Sequence, residues 1–254
     1  MKLQSDHSQG YLVIGATGSV GSALARRLSA RGYRLFLAAR NEEKLARLAG
    51  DLSADSQVLD ARDGAAIEQC IQQAASQLGN LVGMANCVGS ILLKPAHSTS
   101  FDEWHELIAT NLTSCFAVTR AAGKVLRSNG GAVVFASSSA ASIGMPNHEA
   151  IAAAKAGIDG LVRSAAATYA NRGIRFNAVA PGLVKSNMTE KLWNNEAAAA
   201  QSSEMHPLGR LGEPDEVAAA MEWLLHPGNS WITGQVLSID GGLANVLPRR
   251  TVRA

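Results

Sequence analysis

The chain has 254 residues, of which 47% are apolar and 17% charged, so one packed α/β domain is favoured over a disordered chain. The net charge of +2 and the lack of a basic face exclude the nucleic-acid-binding classes. No apolar run reaches the roughly 20 residues that span a bilayer, and the polar segment 1–10 lacks a secretory apolar stretch. We therefore expect a soluble, cytoplasmic protein without nucleic-acid or membrane partners.

Apolar runs alternate with helical patterns along the first half of the chain. The runs predict strands over 11–14, 35–38, 56–59 and 81–86. Between them, helices are predicted over 18–31 and 64–78, and Asn41 is the expected N-cap of a further helix.

The second half repeats this rhythm. Helices are predicted over 101–126, 149–171 and 214–225, and strands over 132–136, 174–179 and 236–239. Segment 191–203 is predicted to be a mobile helix over a site. Strands separated by helices predict a single doubly wound parallel sheet with helices on both faces. We expect a flexible tail at 1–10, one domain at 11–244 and a second tail at 245–254.

The cysteines and histidines do not predict a metal site. Cys70, Cys87 and Cys115 fit no zinc-ligand or CxxC spacing and lie in apolar stretches, where reduced buried thiols are usual. The six histidines form no pair at metal-ligand spacing along a helix. We therefore expect no metal.

A glycine-rich segment connects the first strand to its helix. Glycine lets the backbone turn sharply and approach a pyrophosphate, while the helix N-terminus supplies free N–H groups. This position predicts dinucleotide binding in a Rossmann-like fold. The spacing departs from GxGxxG, so a plain strand-to-helix turn is the alternative. The predicted contacts are Gly15, Thr17, Gly18, Ser19, Val20 and Gly21.

The residues after the second strand bear on the choice of cofactor. An acid at this point would bind the ribose 2′-hydroxyl of NAD, and segment 38–41 contains none. Arg40 can instead pair with the 2′-phosphate, which predicts NADP(H), with NAD(H) as the alternative; a solvated arginine is the other interpretation. Asp60, followed by Ala61, can accept a hydrogen bond from the adenine amine or serve as a turn residue.

Taken together, these motifs resemble the short-chain dehydrogenase/reductase family, over about residues 11–244. The glycine loop is similar to the family's TGxxxGxG pattern, with Ile14 for the threonine and Ser19 for the middle glycine. The chain is similar to the roughly 250-residue branch of the family that includes the 3-oxoacyl-carrier-protein reductases. Further matching stretches are Asn86-Cys87-Val88-Gly89, Asn111, Ser137-Ser138-Ser139, Pro181-Gly182-Leu183-Val184-Lys185-Ser186, Pro207-Leu208-Gly209-Arg210 and Ile239-Asp240-Gly241-Gly242.

The resemblance implies hydride transfer between a nicotinamide and a carbonyl or alcohol. It implies that Ser138 orients the carbonyl oxygen, that Lys155 binds the nicotinamide ribose, and that Asn111 holds a water that relays protons. It also implies assembly as a homotetramer, with a homodimer as the alternative. Further cofactor contacts implied by the resemblance are Asn86, Lys155, Pro181, Gly182, Val184 and Ser186.

The family's YxxxK motif is incomplete in this chain. Lys155 is present, but Ile151 occupies the position of the tyrosine that supplies the proton. The only nearby tyrosine, Tyr169, lies about four helical turns further along. His148 shares the helix face of residues 151 and 155 and has a pKa range suited to acid/base work, although a surface histidine is the alternative.

Two functions follow from this departure. The first is an NADP(H)-dependent oxidoreductase with a modified acid/base group and an atypical active site. The second is a catalytically impaired NADP(H)-binding protein with a regulatory or partner role. Acyl-thioesters, steroid-like ketones and sugar-derived ketones all remain open as substrates. A partly apolar ligand is suggested by Leu92, Leu93, Ile143, Met145, Met188, Leu192 and Trp193.

Overall fold

The structure is a computed structural model that describes residues 8–247. Most of the two predicted tails, residues 1–7 and 248–254, lies outside the described residues. Within the described part, Gly10 already belongs to the first strand, one residue before the predicted domain boundary.

The strands form one parallel sheet in the order β3-β2-β1-β4-β5-β6-β7. All of its neighbouring pairs are parallel, as in Leu12 opposite Phe36 between β1 and β2. The predicted doubly wound sheet is therefore confirmed. The strands are β1 (Gly10–Ile14), β2 (Arg34–Ala39), β3 (Asp55–Val58), β4 (Leu81–Asn86), β5 (Gly131–Ala136), β6 (Ile174–Pro181) and β7 (Val236–Ile239).

Helices cover both faces of the sheet, and each face has its own apolar core. One core joins the sheet to α3, α5 and α6, and the other joins it to α1, α2 and α9. The helices are α1 (Ser19–Ala30), α2 (Glu42–Leu52), α3 (Gly64–Leu78), α4 (Phe101–Ile108), α5 (Ser114–Val125), α6 (Glu149–Tyr169), α7 (Glu190–Trp193), α8 (Glu196–Met205) and α9 (Pro214–Leu225).

Local signals account for several helix ends. The side chain of Asn41 accepts a hydrogen bond from the backbone N–H of Lys44 at 2.8 Å, which is the predicted N-cap of α2. Ser100 and Glu103 form a reciprocal capping box at the start of α4. Gly173, with φ of 68°, adopts the left-handed conformation that ends the turn after α6.

The prediction of a single helix over 101–126 is wrong in one respect. A π-helical turn over Ala109–Thr113 separates α4 from α5. Side chains in the turn bond to backbone carbonyls one turn back: Asn111 Nδ2 donates to Leu107 O at 3.0 Å, and Ser114 Oγ donates to Thr110 O at 2.7 Å. These bonds compete with the regular helical ladder, and π-turns of this kind occur frequently at functional sites.

The chain order reverses between β3 and β4, since β1 has β2 on one side and β4 on the other. In open parallel sheets, ligands bind in the crevice at the carboxyl ends of the strands beside such a reversal. The loops after β1, β4, β5 and β6 meet here. The segment 191–203, predicted as one mobile helix, overlaps two helices, α7 and α8, which lie over the same edge of the sheet.

Candidate active site

The glycine loop brings the backbone of α1 close to the end of β1. Gly15 has φ of 79°, and a Cβ there would lie 2.9 Å from Val88 N. A Cβ on Gly21 would collide with Gly15 O. Among the described residues, no side chain caps the N-terminus of α1, and its first turn carries no acidic residue. Free N–H groups and the positive end of the helix dipole therefore face the loop, as an anionic pyrophosphate requires.

A cavity of about 550 Å³ extends from this loop to the ends of β2 and β3. The exposed Arg40 lines it, and its guanidinium makes no hydrogen bond to any described residue. Beside it, Asp60 is bound by Arg62 through the backbone N–H and the guanidinium, at distances down to 2.6 Å. These hydrogen bonds lower the pKa of Asp60 to about 2. If Asp60 binds the adenine as predicted, the adenine has to share the Asp60 carboxylate with Arg62.

Two predicted asparagines lie at the base of the crevice with their side-chain amides already bonded. Asn86 Oδ1 accepts from Val88 N at 3.1 Å, and its Nδ2 donates to Ser114 Oγ at 3.1 Å. Asn111, at the centre of the π-turn, accepts from Ser90 N at 3.2 Å and donates to Ser90 Oγ at 3.0 Å. Both asparagines are fully buried, so they tie the loop after β4 to the helix behind it.

Three serines follow β5, and their surroundings distinguish them. Ser137 Oγ donates to Asp159 Oδ1 at 2.6 Å, and Ser139 Oγ donates to Asp240 Oδ2 at 2.7 Å. Ser138 is half-buried, and its Oγ accepts from Ala140 N at 3.2 Å. The outer two hydroxyls are thus committed to buried carboxylates, which leaves the Ser138 proton available toward the cavity that it lines.

Lys155 projects from α6 into the same cavity. Its Nζ donates to Ala136 O at 2.7 Å, and burial lowers its pKa, opposed by the nearby Cys115 and Asp159. A Cβ on Gly89 would lie 3.5 Å from Lys155 Nζ and 3.2 Å from Asn111 Oδ1. The absence of a side chain at Gly89 therefore lets the lysine and the asparagine approach the same point of the cavity.

The residue one turn before Lys155 is Ile151, which is 5% exposed. It packs with Leu107 of α4 and with Ala150 and Ala154 of its own helix, in an apolar cluster beside the cavity. Tyr169 cannot replace a phenol here, because its ring packs against Phe176 with centroids 5.7 Å apart, at the other end of α6. The cavity therefore has an aliphatic side chain where the related motif has a proton donor.

His148 stands at the N-cap of α6 and lines the same cavity. Its Nδ1 lies 2.7 Å from Pro146 O, and because a carbonyl oxygen can only accept, Nδ1 carries the hydrogen. The second ring nitrogen, Nε2, is then left for exchange with a ligand. The geometry brings His148, Ile151, Lys155 and Ser138 to one cavity of about 320 Å³.

The loop after β6 closes this cavity from below. Pro181, Gly182, Val184 and Ser186 all line it. Asn187 N donates to Ser19 Oγ at 3.2 Å, which joins this loop to the glycine loop. The two cavities share a continuous wall and so form one groove. The shared residues are Cys87, Val88, Gly89, Ser90, Ile91 and Met188.

Sequence reasoning did not identify two buried groups that hold the site together. His206 is 4% exposed; its Nε2 accepts from Leu183 N at 3.2 Å, and its Nδ1 bonds to Ser202 O at 2.6 Å. It thus ties α8 to the loop after β6. Asp159 follows Lys155 by one turn, and burial raises its pKa while the Ser137 hydrogen bond opposes the rise. The spacing from Lys155 was a signal for Asp159, whereas no local pattern marks His206.

The sequence profile described as enoyl-(acyl carrier protein) reductase matches residues 15–244. The chain is 35% identical over 238 residues to a 3-oxoacyl-(acyl-carrier-protein) reductase of Rickettsia typhi, covering 92% of this chain and 96% of the relative. It is 32% identical over 237 residues to a D-threitol dehydrogenase of Mycolicibacterium smegmatis, covering 91% of each. A variant of actinorhodin polyketide ketoreductase solved with NADPH superposes with a TM-score of 0.88 at 30% identity, covering 97% of this chain and 100% of that one.

Within residues 8–247, no helix combines the length and apolar character needed to cross a bilayer. Over the same residues, no group of three or more His, Cys, Asp or Glu side chains is arranged to hold a metal ion. The cytoplasmic location and the metal-free site stay predictions.

Proposed function

Because the chain belongs to the short-chain dehydrogenase/reductase family, an oxidoreductase family, we propose that it is an NADP(H)-dependent oxidoreductase with a modified acid/base group. The main support for the proposal is one cavity that is lined by Ser138, Lys155 and Ile151. This cavity is continuous with the glycine-lined groove. The substrate is a carbonyl compound or an alcohol, and the bound nicotinamide supplies or accepts the hydride.

The residues along the groove fit a dinucleotide. Gly15 and Gly21 have no Cβ where one would collide with neighbouring backbone, and α1 presents uncapped N–H groups, so a pyrophosphate can be held there. Lys155 would bind the nicotinamide ribose, and Ser138 would donate a hydrogen bond to the carbonyl oxygen. The loop over 181–186 would cover the opposite side of the ring.

Arg40 supports NADP(H) over NAD(H). Its guanidinium is exposed and without a hydrogen-bond partner among the described residues, and residues 38–41, at the end of β2, contain no acid. The related ketoreductase was solved with NADPH. Calorimetry with both cofactors tests the preference. NAD(H) binding that is about tenfold tighter than NADP(H) binding, or about 1.4 kcal/mol, would overturn it.

His148 is the proposed source of the proton. It lines the cavity, its Nδ1–H is held by Pro146 O, and its Nε2 is left to face the ligand. An imidazole works as a general acid or base near neutral pH. We expect His148→Ala to lower kcat for carbonyl reduction by about 10²–10⁴-fold while NADP(H) affinity is kept. Unchanged kcat in this variant would remove His148 from the mechanism.

A second function is favoured by the packing of Ile151. The side chain is buried in an apolar cluster, which is what a site without proton transfer requires. The chain would then be a catalytically impaired NADP(H)-binding protein with a regulatory or partner role. Stopped-flow mixing of the protein with NADPH and a panel of carbonyl compounds separates the two. Tight NADPH binding without oxidation of NADPH would select the second function.

We also propose assembly as a homotetramer, with a homodimer as the alternative. Phe116 on α5 is 53% exposed, and α6 exposes a strip of small residues that is interrupted by Arg163. Small side chains let two copies of a helix approach closely. The strip contains Ala153, Ala156, Gly160 and Ala167. Light scattering tests the proposal, because a mass near 26.5 kDa at micromolar concentration would mean a monomer.

A further inference from the structure

The inner part of the groove, here called the inner cavity, is the 320 Å³ space that holds Ser138 and Lys155. Its walls come from separate segments: the loop after β4, the loop after β5, the start of α6, the helices α7 and α8, and the turn after β7. Most of the side chains they contribute are aliphatic or thioether groups. They include Leu93, Met145, Ile151, Leu192, Met205 and Leu243.

Charge is distributed unequally along the groove. The outer cavity is lined by charged side chains of both signs: Arg40, Asp60 and Arg62, and two glutamates of α4, one of which pairs with Arg62 at 3.3 Å. In the inner cavity, Lys155 is the only Asp, Glu, Lys or Arg among the described lining residues. Its Nζ is already bound to Ala136 O, at the buried base of the site. The mouth and side walls of the inner cavity therefore carry no fixed charge.

Neither histidine of the inner cavity is a permanent cation. His206 accepts from Leu183 N–H at Nε2 and is bonded to Ser202 O at Nδ1, so both of its ring nitrogens are already used. His148 has one nitrogen bound to Pro146 O and a single nitrogen left for proton exchange. No described guanidinium lines this space.

We infer that the inner cavity takes uncharged, largely apolar ketones or secondary alcohols and rejects those that carry a carboxylate or phosphate near the reacting carbon. An ionised group buried without a partner loses its hydration and gains nothing in return. Ile151 strengthens this selection, since it replaces a polar position with an aliphatic one. The inference rests on the proposed function, because it assigns the substrate class of the same site.

The methionine side chains allow the inner cavity to bind ligands of different shape. Met145 and Met205 line the inner cavity from two different segments, the loop after β5 and the end of α8. Unbranched, polarisable side chains adapt to ligands of different outline. The selection is therefore expected to act on charge more strongly than on ring size.

A matched pair of ketones tests the inference by binding alone. Calorimetry on the full chain saturated with NADP⁺ compares acetophenone with 4-acetylbenzoate, which differ by one carboxylate. Acetophenone is expected to bind at least about tenfold more tightly. Equal or tighter binding of 4-acetylbenzoate would overturn the inference, and so would the failure of both ketones to bind.

A charge introduced at the wall of the inner cavity tests whether the selection against anionic ligands occurs there. Leu93 is 39% exposed, so a longer side chain can be placed there without entering the core. Leu93→Arg is expected to bring the affinity for 4-acetylbenzoate to at least that for acetophenone. Leu93→Gln, similar in length but neutral, is the control: it should favour 4-acetylbenzoate less than Leu93→Arg does, because only the arginine supplies a charge. A binding ratio that Leu93→Arg leaves unchanged would contradict the assignment.

Turnover with NADPH separates this inference from the proposed function. If acetophenone binds preferentially and no ketone is reduced, the oxidoreductase proposal fails and the ligand class stands. If both ketones are reduced with equal kcat/KM, the oxidoreductase proposal stands and the inference on charge is wrong.

Discussion

Restoring a phenol at position 151 probes whether the rest of the site is ready for proton transfer. Ile151→Tyr places a ring one helical turn before Lys155, on the side of α6 that faces the inner cavity. The hydroxyl would lie near the ammonium of Lys155, which lowers the pKa of a neighbouring phenol. Ser138 already lines the same cavity and has its proton free for a ligand. We expect the phenol to act as the general acid.

The expected increase in rate follows from what one positioned general acid contributes to catalysis. Carbonyl reduction should rise by about ten- to a thousandfold over wild type. The larger ring has to be accommodated beside Leu107 and Ala154, which already pack against Ile151. Overpacking of this kind costs about 1–3 kcal/mol of unfolding free energy, and the open side of the cavity keeps it toward the lower end.

The assay compares Ile151→Tyr with Ile151→Phe. The phenylalanine variant introduces the same ring without the hydroxyl, so it carries the same packing cost and no acid. Initial rates with NADPH and a neutral ketone are measured for both variants, together with calorimetric NADP(H) affinity. The reasoning is refuted if the tyrosine variant is no faster than the phenylalanine variant while both retain NADP(H) affinity.

Three further predictions address the cofactor, the core and the pH response. Arg40→Asp should weaken NADP(H) binding by about 1.5–3 kcal/mol, the scale of a charge-assisted hydrogen bond; calorimetry checks this, and unchanged affinity would remove Arg40 from the cofactor site. Arg175 donates to the carbonyls of Leu224 and Ile232 and to two more at the end of α9. Arg175→Met should lower the unfolding free energy by roughly 2–4 kcal/mol in urea without changing NADP(H) affinity, since buried carbonyls lose their donor. Asp60 has its pKa lowered to about 2, chiefly by the side-chain hydrogen bonds from Arg62. Such a carboxylate stabilises the folded state above about pH 4, and this contribution is lost as the pH falls toward 2. The difference in Tm between wild type and Asp60→Asn should therefore shrink over that range; a constant difference would count against the Asp60–Arg62 contact.

The sequence predicted the fold well because its signals are local. Alternating apolar runs mark strands that are buried on both faces, and the cap at Asn41 acts over three residues. The π-turn around Asn111 was not predictable in the same way. The apolar pattern of 101–126 continues through it, and only the folded backbone shows the π-turn, where the side chains of Asn111 and Ser114 bond to carbonyls one turn back.

In the candidate site, too, local sequence signals predict some features and only the folded chain shows the others. The resemblance to the family's motifs indicated Ser138, Ile151 and Lys155, and strand β5 and helix α6 fix where these residues lie. The commitment of Ser137 and Ser139 to buried carboxylates could not, since Asp240 lies far along the chain. The contact of His206 with Leu183 likewise depends on the path of α8. Contacts between distant segments require the folded chain.

The π-turn constrains the number of residues between α4 and α5. Removal of one residue from Ala109–Thr113 would let the ladder close into a continuous α-helix, because the turn accommodates one extra residue. The wide turn that places the Asn111 side chain against Leu107 O and Ser90 Oγ would then be lost. A substitution here perturbs one side chain, whereas a one-residue deletion would remove the backbone shape that holds Asn111 in the candidate site.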